Sequence, residues 1–111
     1  VAGLMRDRQF GPCVMFGLGG IYTEVLQDVA FRIAPLSLRD AFEMMEEIRA
    51  GKLLGAFRGK PEVDREAMAR LLMGLGRIGL AHGEISEIDI NPLLIADGRP
   101  VAVDALVVLK N

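Results

Sequence analysis

Three oxygen-bearing side chains near the end of the 111-residue chain, Asp89, Asn91 and Asp104, are brought together by a single turn signal. Asp97-Gly98 stands between two β-rich runs, EISEIDINPLLIA and RPVAVDALVVLK, and this dipeptide favours a two-residue hairpin loop. If Ala96 faces Arg99, the register carries back to Asn91 directly opposite Asp104. Opposed residues project from the same face with Cβ atoms about 4.5–5.5 Å apart. Period-two alternation adds Asp89 and Glu87 to that face and turns Ile88 and Ile90 to the other. Hard oxygen donors of this kind suit Mg²⁺, which takes one or two protein carboxylates and completes its shell with phosphates and water. The prolines qualify the register. A two-residue loop puts Pro92 where a strand donor is wanted, a four-residue loop does the same to Pro100, and a bulge near one of them is expected. The plainer reading makes Asp89 and Asn91 a solvated face and Asn91-Pro92 a bend. Asp104 resists it, because it interrupts the apolar run VAVDALVVL, and a carboxylate buried there would need a cation, a hydrogen-bond network or a cleft.

Other residues carry weaker chemistry. The GLGG loop, Gly17–Gly20, could bring backbone amides such as those of Gly19 and Gly20 to a phosphate, but the next element is a strand rather than a helix, so a tight turn explains it as well. Arg58, in AFRGKP, could pair with phosphate oxygens or be a solvated loop arginine. Glu24, Asp28 and Arg32 alternate on one strand face as a cross-strand charge ladder, functional only if that face lines a nucleotide cleft. His82 precedes Gly83 just past a helix and reads as an exposed helix end rather than a phosphorylated histidine. Cys13, within an apolar strand, reads as an inert core thiol.

The elements that must hold these residues are set by the hydrophobic period. Phe10–Gly20 is apolar and glycine-bounded, as a buried strand running into a loop would be. In IYTEVLQDVAFRIAP, Val25, Gln27, Val29, Phe31 and Ile33 form the well-buried face of a strand, and Glu24, Leu26, Asp28, Ala30 and Arg32 the partly buried one. Ser37 caps a helix with Asp40 in the capping-box position, and Leu38, Ala41, Phe42, Met45 and Ile48 form its stripe as far as a stop at Gly51. A second helix from Asp64 to about Leu80 shows Val63, Ala67, Leu71, Leu75 and Ile78 at helical spacing. Its Gly74, Gly76 and Gly79 imply close packing against another backbone. Strands, two helices and a terminal hairpin make an α+β fold: an antiparallel sheet with two packed helices, spanning 1–111 as one domain.

Composition bounds the function. Hydrophobic residues are 51% and charged residues 25%, enough to sustain a core. A net charge of -2 predicts no attraction to nucleic acid or to an anionic membrane, and no apolar run approaches the ~20 residues of a membrane span. The lone cysteine excludes an internal disulfide and fits a reducing, cytoplasmic setting. Val1, opening inside an apolar stretch, suggests a piece of a longer chain.

The segments RDRQFGPCVMFGLGGIYTEVLQDVAFRIAPL, GKLLGAFRGKPEVD, EIDINPLLI and AVDALVVL, in that order, resemble the ADP-forming (NDP-forming) acyl-CoA synthetases, the acetyl-CoA synthetases related to succinyl-CoA synthetase. The resemblance covers essentially the whole chain and matches the C-terminal part of the ATP-grasp module. It implies an antiparallel sheet with packed helices, forming one wall of a site for ATP or ADP with Mg²⁺. The metal-binding Asn of the INP motif falls on Asn91 and the Asp of the following strand on Asp104. Asp89 falls on the acidic residue two before the Asn, as a supporting ligand. Arg58, Gly19, Gly20 and Glu24 become candidates for the nucleotide phosphates, with no catalytic residue in this chain. The implied activity is that of an acid–thiol ligase, interconverting acyl-CoA, ADP and phosphate with a carboxylate, CoA and ATP. The implied partners are the remaining ATP-grasp lobe and the CoA-binding and ligase domains, in the same chain or another subunit of an oligomer. One departure is Leu106, where the family commonly has Arg after the Asp-Ala pair. It keeps open a non-catalytic binding or regulatory module, as in relatives fused to an acetyltransferase.

Overall fold

The computed structural model describes residues 1–17, 28–48 and 63–111. In chain order it contains β1 (Ala2–Asp7), β2 (Gly11–Gly17), β3 (Val29–Ile33), α1 (Leu38–Glu47), α2 (Arg65–Ala81), β4 (Ile85–Ile90), β5 (Leu93–Ala96), β6 (Arg99–Ala102) and β7 (Ala105–Leu109). Five strands form one antiparallel sheet in the order β3-β2-β1-β4-β7, and β5 and β6 form a separate ribbon. The expected α+β class holds. The sequence pattern starts the sheet at Phe10 and misses β1, which is its central strand.

The β1–β2 hairpin closes through Asp7, whose Oδ1 accepts from the backbone N–H groups of Gln9 at 2.7 Å and Phe10 at 2.9 Å. Gly11 then takes φ +84°, a left-handed conformation that glycine adopts without a Cβ penalty. On the helix side of the sheet, Ala2, Leu4, Val14, Phe16 and Ala30 are buried against Met44, Met45, Met68 and Leu72. Three of the methionines thus fill the core, whereas Met5 and Met15 lie on the opposite, open face.

The buried face of β3 is the reverse of the one expected. Phe31 and Ile33 are 42% and 47% exposed on the open face, whereas Ala30 and Asp28 are buried. Small Ala30 lets the helices approach, and Arg32 reaches over to α1, 2.7 Å from Glu47 and 3.9 Å from Glu43. Arg32 therefore belongs to a sheet-to-helix ion pair and not to a ladder across strands. The outer half of the predicted strand, with Glu24, Val25, Leu26 and Gln27, lies outside the described residues.

Both helix starts are where the capping residues put them. Ser37 Oγ accepts from the Asp40 N–H at 3.0 Å while Asp40 Oδ2 accepts from the Ser37 N–H at 2.9 Å. Asp64 Oδ1 accepts from the Ala67 N–H at 3.0 Å. The stripes are rotated from expectation. In α1 Met44 is buried and Leu38 exposed, and α1 ends at Glu47 with Ile48 extended; Gly51 lies outside the described residues. In α2 the buried residues are Met68, Ala69, Leu72, Leu75, Gly76 and Gly79, and Ile78 is exposed. The glycines decide this rotation. A Cβ on Gly79 would lie 2.8 Å from Leu4 and 2.9 Å from Pro12, so the bare helix face seats on β1 and β2. The close neighbours are side chains rather than the backbone that the sequence suggested. Arg6 fastens the same corner: its guanidinium donates to the carbonyls of Gly79, His82 and Ile85 at 3.0, 2.8 and 2.6 Å.

Candidate metal and nucleotide site

The terminal hairpin turns as its dipeptide demands. Asp97 and Gly98 take φ 52° and 80°, the paired positive values of a type I′ turn, and Ala96 faces Arg99. The register then runs unbroken from Ile95↔Pro100 to Leu93↔Ala102 in the ribbon, and resumes in the large sheet as Ile90↔Ala105, Asp89↔Leu106 and Ile88↔Val107. Between the two ladders, the Asn91 N–H donates to the Asp104 carbonyl at 3.1 Å and the Val103 N–H to the Pro92 carbonyl at 3.2 Å. Asn91 therefore lies opposite Asp104, as expected. Pro92, with no N–H to offer, follows a cis peptide bond at the place where the chain leaves one sheet for the other. The expected slip is not at a proline: the register shifts between Ile85 and Glu87 instead.

Asp89 stands two residues before Asn91 on the open face, opposite Leu106 on β7 and opposite Gly3 on β1. Ile88 and Ile90 turn into the core. Across the sheet this row reads Phe31, Met15, Gly3, Asp89, Leu106. A recess of about 250 Å³ opens beside Asp89, with Gly3, Met5, Met15 and Glu87 among its lining residues. Among the described residues no ion pair engages Glu87, Asp89 or Asp104. Nor do His, Cys, Asp and Glu side chains among them form a group of three that could hold a metal. The donor set is instead two carboxylates and one amide oxygen, uncommitted hard donors of the chemistry that Mg²⁺ takes.

Asp104 is exposed, contrary to the argument from burial. Helices α1 and α2 pack mainly over β1, β2 and β3, so both faces of β7 are bare and the apolar run around Asp104 is exposed with it. In this chain water solvates the carboxylate, and desolvation does not oblige it to find a cation. The phosphate candidates Arg58, Gly19, Gly20 and Glu24 lie outside the described residues. Cys13 is half-buried on the open face rather than in the core, and burial, with Asp7 nearby, pushes its thiol pKa up, away from a reactive thiolate. His82 is an exposed helix end, its N–H bonded to the Ile78 carbonyl at 2.9 Å and its Nδ1 3.0 Å from Glu84. Sequence reasoning missed Gly3, the β1 residue paired with Asp89. No signal in the neighbouring sequence marks it, because its partner lies on β4.

A family model described as ATP-grasp domain matches residues 1–109. The β subunit of ADP-forming acetate–CoA ligase I from Pyrococcus furiosus is 48% identical over 109 residues, covering 98% of this chain and 47% of the relative. ADP-forming acetate–CoA ligase I from Archaeoglobus fulgidus is 44% identical over 109 residues, which are 98% of this chain and 16% of that protein. The chain thus spans about half of the first of these relatives and a far smaller share of the second. The acetyl-coenzyme A synthetase 1 of Ca. Korarchaeum cryptofilum, solved with coenzyme A, Ca-AMPCP and HgCl⁺, superposes with a TM-score of 0.93 at 50% identity, over 98% of this chain and 48% of that one. The same protein solved with coenzyme A and Mg-AMPPCP gives 0.91 at 50% identity, over 98% and 51%.

Proposed function

The chain belongs to the ATP-grasp domain family, and from that membership we propose that it forms one wall of the Mg-nucleotide site of an ADP-forming acyl-CoA synthetase. The observation that supports the proposal is the backbone pairing of Asn91 with Asp104, N–H to carbonyl at 3.1 Å, with Asp89 two residues before Asn91 on β4. Bound there, Mg²⁺ would neutralise phosphate charge. Asn91 supplies a neutral donor and Asp104 an anionic one. Asp89 supports them directly or through water. The strand pairing supports this reading, since it puts Asn91 opposite Asp104 and Asp89 opposite Leu106.

The rest of the machinery is assigned to other parts of the protein. The remaining ATP-grasp lobe would close over the open sheet face and Arg58 and the GLGG loop would meet the phosphates. The CoA-binding and ligase domains would come from the same chain or from another subunit. Relatives of both kinds support this reading, since one is named as a β subunit and another is a longer single ligase. The acyl substrate is chosen by those other parts.

A non-catalytic binding or regulatory module is the second reading, and Leu106 is what favours it. It stands opposite Asp89 and is 58% exposed, so an apolar side chain occupies the place where the family commonly has a cation. Titration of Mg-ADP into the full-length protein, with Asp104→Ala beside it, separates the readings. The ligase reading expects binding that Asp104→Ala weakens at least about tenfold; absence of binding in both forms supports the regulatory reading.

A further inference from the structure

Gly3 has no side chain on the open face of the sheet, and the reason is the neighbouring backbone rather than the recess. A Cβ built on Gly3 would lie 2.7 Å from the carbonyl oxygen of Ile88 and 3.7 Å from Met15 Cε. Methionine can move aside. The Ile88 carbonyl cannot, because its peptide lies within β4, which is paired with β1 on one side and β7 on the other. Glycine within a strand marks such a close approach of a second backbone. Gly3 is the β1 residue opposite Asp89, and β1 and β4 pair from Ala2↔Ile90 to Leu4↔Ile88, so this short ladder is where β1 holds the Asp89 end of β4. Two residues beyond Asp89, the Asn91 N–H reaches the Asp104 carbonyl.

We propose that Gly3 is a positioning residue for the Asp89, Asn91 and Asp104 donor set: its missing Cβ lets β1 draw β4 in and so sets where the metal-binding end of β4 lies. The inference deepens the proposed metal role of these residues and rests on it. Any side chain at position 3 displaces β4 from β1 at Ile88 and shifts Asp89 and Asn91, the residues that follow it toward Asp104. The effect reaches the metal through the backbone, since Gly3 itself has no donor to offer.

The test compares two glycine substitutions that each introduce a close contact, on opposite faces of the sheet. Gly79→Ala places a Cβ 2.8 Å from Leu4 on the helix side, and Gly3→Ala places one 2.7 Å from Ile88 on the open side. Both destabilise the chain, so thermal melting alone does not tell them apart. Backbone amide hydrogen exchange of the metal-free full-length protein does. Gly3→Ala is expected to speed exchange of the Asn91 amide about tenfold or more, leaving the β2–β3 pairs unchanged, whereas Gly79→Ala leaves Asn91 as it was. Mn²⁺ titration followed by electron paramagnetic resonance, well below both melting points, is expected to show about tenfold weaker binding for Gly3→Ala and unchanged binding for Gly79→Ala. Unchanged Asn91 exchange in Gly3→Ala overturns the inference. So does unchanged Mn²⁺ affinity in Gly3→Ala where Asp104→Ala loses it. If Asp104→Ala itself leaves Mn²⁺ affinity unaltered, the metal reading fails, and the Asn91 exchange rates alone then decide whether Gly3 positions the strand.

Discussion

At the scale of single residues, the proposed metal site rests on carboxylates that hold no ion pair among the described residues. Asp89 and Asp104 carry no ion pair among the described residues, whereas Arg32 and Glu47, or Arg70 and Glu66, satisfy one another. A site that waits for a cation should behave this way, because carboxylates already paired would have to give up a partner to bind one. Replacing Leu106 with Arg puts a cation opposite Asp89. If the ligase reading holds, Leu106→Arg should tighten Mg-ADP binding by the full-length protein several-fold and weaken metal binding without nucleotide, both measurable by calorimetry. Asp40 gives a separate expectation. Its carboxyl is held below the ordinary 3.8 by hydrogen bonds from the backbone N–H and then the hydroxyl of Ser37. The folded pKa is depressed, so this contribution is complete above the unfolded value and is lost as pH falls through the folded one. In Asp40→Asn the melting temperature should lose that part of its acid dependence.

At the scale of elements, capping and glycine placement decide more than the apolar stripes do. Loss of the Ser37 cap in Ser37→Ala should cost about 1 kcal/mol in chemical denaturation. The helix glycines have opposite expected signs. A Cβ on Gly74 meets only Arg77 Nη2 at 3.7 Å, so Gly74→Ala should stabilise the chain by up to about 1 kcal/mol through helix propensity. Gly79→Ala should destabilise it by about 1–3 kcal/mol, because Leu4 and Pro12 already occupy the space. Denaturation midpoints of the two variants moving in the same direction would contradict this packing. The period-two pattern of β3 did indicate a strand but gave its faces in reverse, since the larger apolar face, Phe31 and Ile33, turns away from the helices.

At the scale of the whole molecule, among the described residues the helices pack on one sheet face, mainly over β1, β2 and β3, and none packs on the other. The open face carries Phe31, Ile33, Met5 and Leu106 at substantial exposure, and β7 and the β5–β6 ribbon add Val101, Val107 and Leu109. This much exposed apolar surface fits a wall that meets another part of the protein, and under the proposed function the 111 residues hold only part of a nucleotide site. Given acetyl-CoA, ADP and phosphate, the isolated chain should therefore form no ATP in a coupled assay. Measurable turnover would sink the assignment of the missing machinery to other lobes and domains. No helix among the described residues is long and apolar enough to cross a membrane.

Local chemistry made part of this protein legible in one dimension. Asp97-Gly98 dictated the turn, the turn dictated the register, and the register put Asn91 opposite Asp104 across a proline that could have shifted it. Ser37 and Asp64 announced their helices for the same reason: each cap is a hydrogen bond made within three residues. The identity of the buried faces was not local. It depended on which side of the sheet two helices chose, and bare Gly76 and Gly79 and small Ala30 settled that choice by permitting approach. The exposure of Asp104 was set by how far those helices reach. Gly3 was invisible for the same reason: nothing near it in sequence reveals the Ile88 carbonyl that forbids a side chain there, and only the fold brings that carbonyl within 2.7 Å of where a Cβ would be.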